Sequence, residues 1–199
     1  MGNTFYYIYI EKIGGVMDNK AEVFADELSF IQDGEKREII KSLIRQVPDY
    51  FFEIPASSTG KYHPKYALGE GGLVRHTKAA VRIANELLRL EMFKGLSKIK
   101  DEIIGALLLH DSFKNGENYQ KWSVVEHPII AGNFVMNELQ GSELAYQLCD
   151  LISTHMGQFN TDYKSGEEVL PKPSSKAQAF VHLCDYLASR KFLEFNFEV

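Results

Sequence analysis

The sequence predicts an all-α fold of about seven or eight helices, and three observations carry that prediction. Apolar residues recur at three- and four-residue spacing in one segment after another, the signature of a helical inner face. Breakers and caps (Asp33-Gly34, Gly71-Gly72, Gly95, Asn115-Gly116, Gly141-Ser142, Gly157) fall where those patterns stop. Strand propensity is confined to the start, Phe5 to Ile10. At 199 residues, with 45% hydrophobic and 25% charged residues, the chain suits one domain with a sizeable core, and no internal repeat divides it.

The elements follow in order. Asp18 caps a helix to about Ile31, with Val23, Phe24, Leu28 and Ile31 inward. A second helix runs from about Glu35 to Val47. Pro48 and Pro55 bracket an aromatic piece, and the polar stretch 56–66 reads as a loop leading to a site. Gly71-Gly72 allow a tight entry into a long helix, about Leu73 to Phe93. The most apolar helix, about Ile99 to His110, is expected at the centre. Pro128 favours the first helical position and so sets His127 at or near the N-cap of a helix to about Leu139. A further helix spans about Glu143 to His155, then a loop to Ser175, and a last helix to about Phe195. The domain is expected over 18–199. Residues 1–17 read either as a leader foreign to the native protein, because Gly14-Gly15-Val16-Met17 resembles a translated ribosome-binding site ahead of a bacterial or phage start codon, or as an edge strand.

Composition excludes some classes of function. The formal net charge of −5 is unsuited to broad nucleic-acid binding, which needs a basic surface. No apolar stretch approaches the ~20 residues of a membrane span. Cys149 and Cys184 lie in apolar helical contexts and read as buried thiols of a reducing cytoplasm. The aromatics Phe192, Phe195 and Phe197 are expected to pack on the bundle or on a second subunit, which leaves a homo-oligomer open.

The chemistry concentrates around His110-Asp111, which closes the apolar run Ile103–Leu109. Two polar side chains ending a buried helix need partners inside, because an unpaired buried polar group costs a few kcal/mol. A metal ion satisfies both, since imidazole nitrogen and carboxylate oxygen suit Zn, Mn, Fe, Co or Ni. A capped helix end with a hydrogen-bonded histidine is the plainer alternative. The pair has company, however: Gly71-Gly72-Leu73-Val74-Arg75-His76-Thr77 upstream, and Glu126-His127-Pro128, Ser153-Thr154-His155-Met156-Gly157 and Leu183-Cys184-Asp185-Tyr186 downstream.

That order of motifs, over roughly 62–190, resembles the HD-domain metal-dependent phosphohydrolases. Within them, Gly-Gly-Leu-x-x-His-Thr, Leu-Leu-His-Asp, Glu-His-Pro and Leu-Pro-Lys are most similar to the HD domain of bacterial 3′–5′ exoribonucleases. The OB-fold that normally precedes that domain has no room ahead of it here. The resemblance implies an HD-type helical bundle. It implies His76, His110, Asp111 and Asp185 as ligands of a first ion, Asp111 as a bridge, and His127 with His155 as ligands of a second. The cofactor is then one or two divalent transition metals (Mn, Co, Ni, Fe or Zn) per chain. Lys114 fits the His-Asp-x-x-Lys form, as a cation to neutralise phosphoryl oxygens beside the catalytic Asp111. The intervening Ser112-Phe113 departs from the usual Ile-Gly and puts the path to Lys114 in question.

Lys61, Lys65, Arg75 and Lys172 are candidate phosphate contacts, and Trp122, Tyr62 or Tyr66 candidate base-stacking groups, Trp122 with loop packing as its plainer role. His63 reads as a substrate contact or a surface histidine. His182, one turn before Asp185, reads as a core histidine or a partner of a ligand. The expected function is hydrolysis of a phosphoester in a nucleotide or short single-stranded nucleic acid, not duplex DNA and not at a membrane. The alternatives are a non-catalytic nucleotide- or metal-binding module and, more remotely, an iron oxygenase.

Overall fold

The structure, a computed structural model, describes residues 20–57 and 59–192. The expectations about Met17, the strand at Phe5–Ile10, the Asp18 cap and the aromatics Phe195 and Phe197 lie outside those residues. The described residues form seven α-helices: α1 (Ala25–Leu28), α2 (Gly34–Gln46), α3 (Gly72–Leu87), α4 (Lys100–Leu109), α5 (His127–Glu138), α6 (Glu143–Ser153) and α7 (Lys176–Ala188). The described residues form no sheet, and Thr161 and Glu168 make one isolated bridge in the loop before α7. No helix among them is long and apolar enough to cross a membrane.

Helix α4 is the axis. Every residue from Glu102 to Leu109 is buried, and α2, α3, α6 and α7 all pack on it. With Ile103, Ile104 and Leu107 fully enclosed, each such side chain contributes about 1.5–3 kcal/mol relative to exposure. The one charged residue in that run, Glu102, is matched by Lys36 of α2 at 2.6 Å. Helices α5 and α6 form a hairpin through a short turn, and α3 lies against α7.

Local chemistry sets the ends. Asp33 caps α2, accepting from the amides of Glu35 and Lys36. Ser142 caps α6, and Ser175 caps α7 in a reciprocal box with Gln178. The Gly-Gly entry to α3 is needed on both counts. Gly71 sits at φ +67, and a Cβ on Gly72 would stand 2.3 Å from the Ala67 carbonyl oxygen. That close approach pins the loop before α3, with Gly71 N–H on Glu53 O and Leu73 N–H on Ile54 O.

Three boundaries differ from expectation; one is the last helix, read to about Phe195, which ends at Ala188. The first helix is a short 3₁₀ turn, Glu22–Phe24, followed by α1, and it ends at Leu28. The long helix expected to reach Phe93 ends at Leu87, and Glu91–Ile99 continues as 3₁₀ helix. The reason lies in the spacing. Phe93, Leu96 and Ile99 recur every three residues, which a three-per-turn helix lines up along one edge toward the core, whereas a 3.6-per-turn helix would spread them over about 120°. Phe93 meets Phe180 of α7 at 4.8 Å.

Candidate metal centre

Three helix ends and two helix interiors deliver the polar cluster to one place. His110 and Asp111 follow directly on α4, His127 opens α5, and His155 follows the end of α6. His76 and Asp185 come from α3 and α7. His76, His110, Asp111, His127 and His155 are 0–3% exposed, so little water reaches them. The side chain of Asp185 is 17% exposed and marks the open side.

Helix ends suit this purpose because their last carbonyls have no intrahelical donor. His110 Nδ1 donates to Leu107 O at 2.6 Å and His155 Nδ1 to Ile152 O at 2.8 Å, three residues back in each case. His127 Nδ1 donates to Val124 O at 2.7 Å. A nitrogen facing a carbonyl must carry the proton, so the neutral ring keeps its lone pair on Nε2. All three Nε2 atoms point inward.

The inward atoms are crowded with acceptors. His127 Nε2 is 3.0 Å from Asp111 Oδ1 and 3.2 Å from His155 Nε2, which is itself 3.6 Å from Asp111 Oδ1. His110 Nε2 lies 3.5 Å from Asp111 Oδ2 and 3.6 Å from Asp185 Oδ1. His76 Nε2 lies 2.9 Å from Asp185 Oδ1 and 3.7 Å from Asp111 Oδ2. Asp111 Oδ1 and His110 Nε2 are buried without a hydrogen-bond partner. Lone pairs that face one another at these distances repel unless a cation lies between them. The donor set fits that need: His76–His110–Asp111, His110–His155–Asp185 and Asp111–His127–His155 each bring ligand atoms within 4.8 Å of one another and could hold a metal ion.

The electrostatics agree. Burial alone would raise the Asp111 carboxyl, yet Lys114 and His110 beside it hold it well below the usual carboxylate range. Asp185 is held low in the same way, against burial, by His110 and His76. Burial lowers the His110 imidazole, but Asp111 and Asp185 outweigh it and raise it. Burial pushes His155 down to about 4, and burial with His76 and Lys114 nearby pushes His63 down to about 3.

The other candidates divide. Lys114 reaches the centre, its Nζ 2.6 Å from Asp111 Oδ2. Ser112-Phe113 does not misdirect it, because Ser112 Oγ donates back to Leu109 O and Phe113 packs on Phe134. His182 takes the role of a ligand's partner, its Nδ1 donating to the His155 carbonyl at 2.7 Å, with its ring so close to Gly157 that a Cβ there would stand 2.4 Å from it. Arg75 turns to the loop: its guanidinium donates to the carbonyls of Tyr66, Leu68 and Glu70 and clamps it. Lys172 is an exposed residue paired with Glu168, not with the cluster. Lys61 lies over the Tyr62 ring, and Lys65 is exposed. Tyr66 bonds the Ala188 carbonyl. Trp122 is 58% exposed and so lies outside the core, and Lys121 lies over its ring. Sequence reasoning missed the helix-end carbonyls that orient the histidines. They are backbone groups and leave no residue signal.

The chain matches no family model, no curated protein and no solved structure at significance.

Proposed function

We propose that the protein is a metal-dependent phosphohydrolase of the HD type, acting on phosphoesters of nucleotides or short single strands. The observation that carries this reading is the position of Asp111. It is one carboxylate shared by two histidine-bearing donor sets, with His76 and His110 in one and His127 and His155 in the other, while a third set, His110–His155–Asp185, links the two. Two ions ~3.5–4 Å apart need such a bridge, and when bound they supply a water acidified towards neutrality and a clamp for phosphoryl oxygens. The order of the motifs along the chain supports the same reading.

The chain's own residues do the rest. Asp111 stays ionised in a buried site. Lys114, 15% exposed, is the cation nearest the bridge and is placed to offset charge on a phosphoryl oxygen. Asp185 lies on the side from which a substrate enters. With 27 acidic against 22 basic residues, the surface does not suit a duplex, whose many phosphates demand an extended basic face.

A second reading, a nucleotide- or metal-binding module without turnover, draws support from the closure of the centre, five of whose six donor residues are at most 3% exposed. One experiment separates the two. The protein is supplied with Mn, Co, Ni or Mg and offered a generic phosphodiester, a mononucleotide panel, a short oligoribonucleotide and a duplex at two ionic strengths. The expected result is metal-dependent hydrolysis of the small substrates with weak salt dependence. Efficient duplex degradation or a steep fall with salt overturns the substrate class. A protein that holds two ions and hydrolyses nothing overturns the enzyme reading in favour of the module.

A further inference from the structure

Among the histidines of the centre, His76 is the exception. His110, His127 and His155 each anchor Nδ1 on a backbone carbonyl, but His76 Nδ1 is buried with no hydrogen-bond partner. A ligating imidazole usually donates its second N–H to an outer acceptor, which fixes the ring and raises its basicity. One further imidazole nitrogen outside the donor set is buried without a partner among the described residues, and it is Nδ1 of His63. The two rings are neighbours. Their centroids are 5.4 Å apart at an interplanar angle of 62°. Two imidazoles joined end to end by an N–H···N bond of ordinary length have centroids about 5 Å apart.

We propose that His63 becomes the outer partner of His76 when the centre holds its ion. The two rings are neighbours, but their Nδ1 atoms are not bonded in this structure. With Nε2 given to the ion, the proton moves to His76 Nδ1, where His63 Nδ1 accepts it. One bond then satisfies two buried atoms that each cost stability when left unpaired. It also ties the polar loop 56–66 to the first donor set, because His63 belongs to that loop and His76 to α3. His63 is a positioning residue in this scheme. It acts on the ion through His76 and touches neither ion nor substrate. The inference rests on the metal-centre reading.

The test compares three variants of the full chain by competition with a chromophoric chelator, using Co or Mn as the probe. His63→Ala removes ring and acceptor. His63→Phe keeps a ring of similar shape without an acceptor. His63→Asn places an amide oxygen where Nδ1 stood. The expected result is that Ala and Phe weaken one of the two ions by about 10-fold or more while Asn restores most of the affinity. Helical circular dichroism should be unchanged in all three. In ¹⁵N-imidazole NMR of the metal-loaded protein, His76 Nδ1 should be protonated, with a resonance that shifts in Phe and returns towards wild type in Asn. Wild-type affinity in the Phe variant overturns the inference, since a ring that merely packs predicts that outcome. An Asn variant as weak as Ala overturns it too. A wild-type protein that takes up no ion at all defeats the metal-centre reading and this inference together, whereas an unaffected Ala variant defeats this inference alone.

Discussion

The two halves of the buried centre solve the same electrostatic problem with different means. The half formed by His76, His110, Asp111 and Asp185 has two carboxylates for two imidazoles, and in the metal-free protein protons can meet its charge: His110 is raised and His76 Nε2 lies against Asp185 at 2.9 Å. The half formed by Asp111, His127 and His155 has one shared carboxylate, and its two imidazole Nε2 atoms face each other at 3.2 Å. There a proton is a poor substitute, because burial pushes His155 down to about 4. The carboxylate-rich half accepts protons readily, and the imidazole-rich half accepts them only under strain.

The comparison can be broken most completely at Asp111, which both halves share. Asp111→Ala should reduce the metal content from two ions per chain to none and abolish hydrolysis, with helical circular dichroism retained. Elemental analysis of the purified variant is the check, and two retained ions would sink the assignment. His127→Ala or His155→Ala should cost one ion and keep the other, because neither belongs to the His76–His110–Asp111 set. Loss of both ions together would mean that the halves are one indivisible site.

A pH series sharpens the contrast. His155 and His63 have folded values near 4 and 3, below the ordinary 6.5, so their contribution to stability is present above pH 6.5 and is lost as pH falls towards 4. Asp111 and Asp185 are also lowered, and add a loss of the same sign at more acid pH. His110 is raised, so its contribution has the opposite sign and offsets part of the loss. The melting temperature of the metal-free protein should therefore fall by about 5 °C or more between pH 7.5 and 4.5. A flat profile would remove the strain assigned to the imidazole-rich half.

Smaller effects are expected away from the centre. Arg75→Ala removes three bonds to loop carbonyls and should cost about 1–3 kcal/mol in denaturant unfolding, equally with and without metal. Lys172→Ala breaks one exposed ion pair and should change stability by less than about 1 kcal/mol, with hydrolysis unaltered. A large rise in KM in either variant would return that residue to the substrate site.

The sequence made the helices legible where side chains cap or break them. Asp33, Ser142 and Ser175 each accept a backbone N–H at the start of a helix, and the Gly71-Gly72 entry stands as read. It misjudged Leu88–Ile99, where the α-helix gives way to 3₁₀ helix before the one breaker read there, Gly95, is reached. At the centre, His76, His110, Asp111, His127, His155 and Asp185 were readable as motifs and converge in space. The surface cations were not. Nothing in the residue alone tells an Arg75 that faces solvent phosphate from one that caps three carbonyls, since the difference lies in the path of the backbone around it.

The loop that carries His63 is stitched to the end of α7 at two points: Tyr66 donates its hydroxyl to the Ala188 carbonyl at 2.8 Å, and the Lys191 amide donates to the Tyr62 carbonyl at 2.9 Å. Both stitches lie within six residues of Asp185. Lifting this loop breaks both bonds and removes two restraints at the end of α7, the helix that carries Asp185. Amide protons at 186–191 should therefore exchange with solvent in step with those of 61–67.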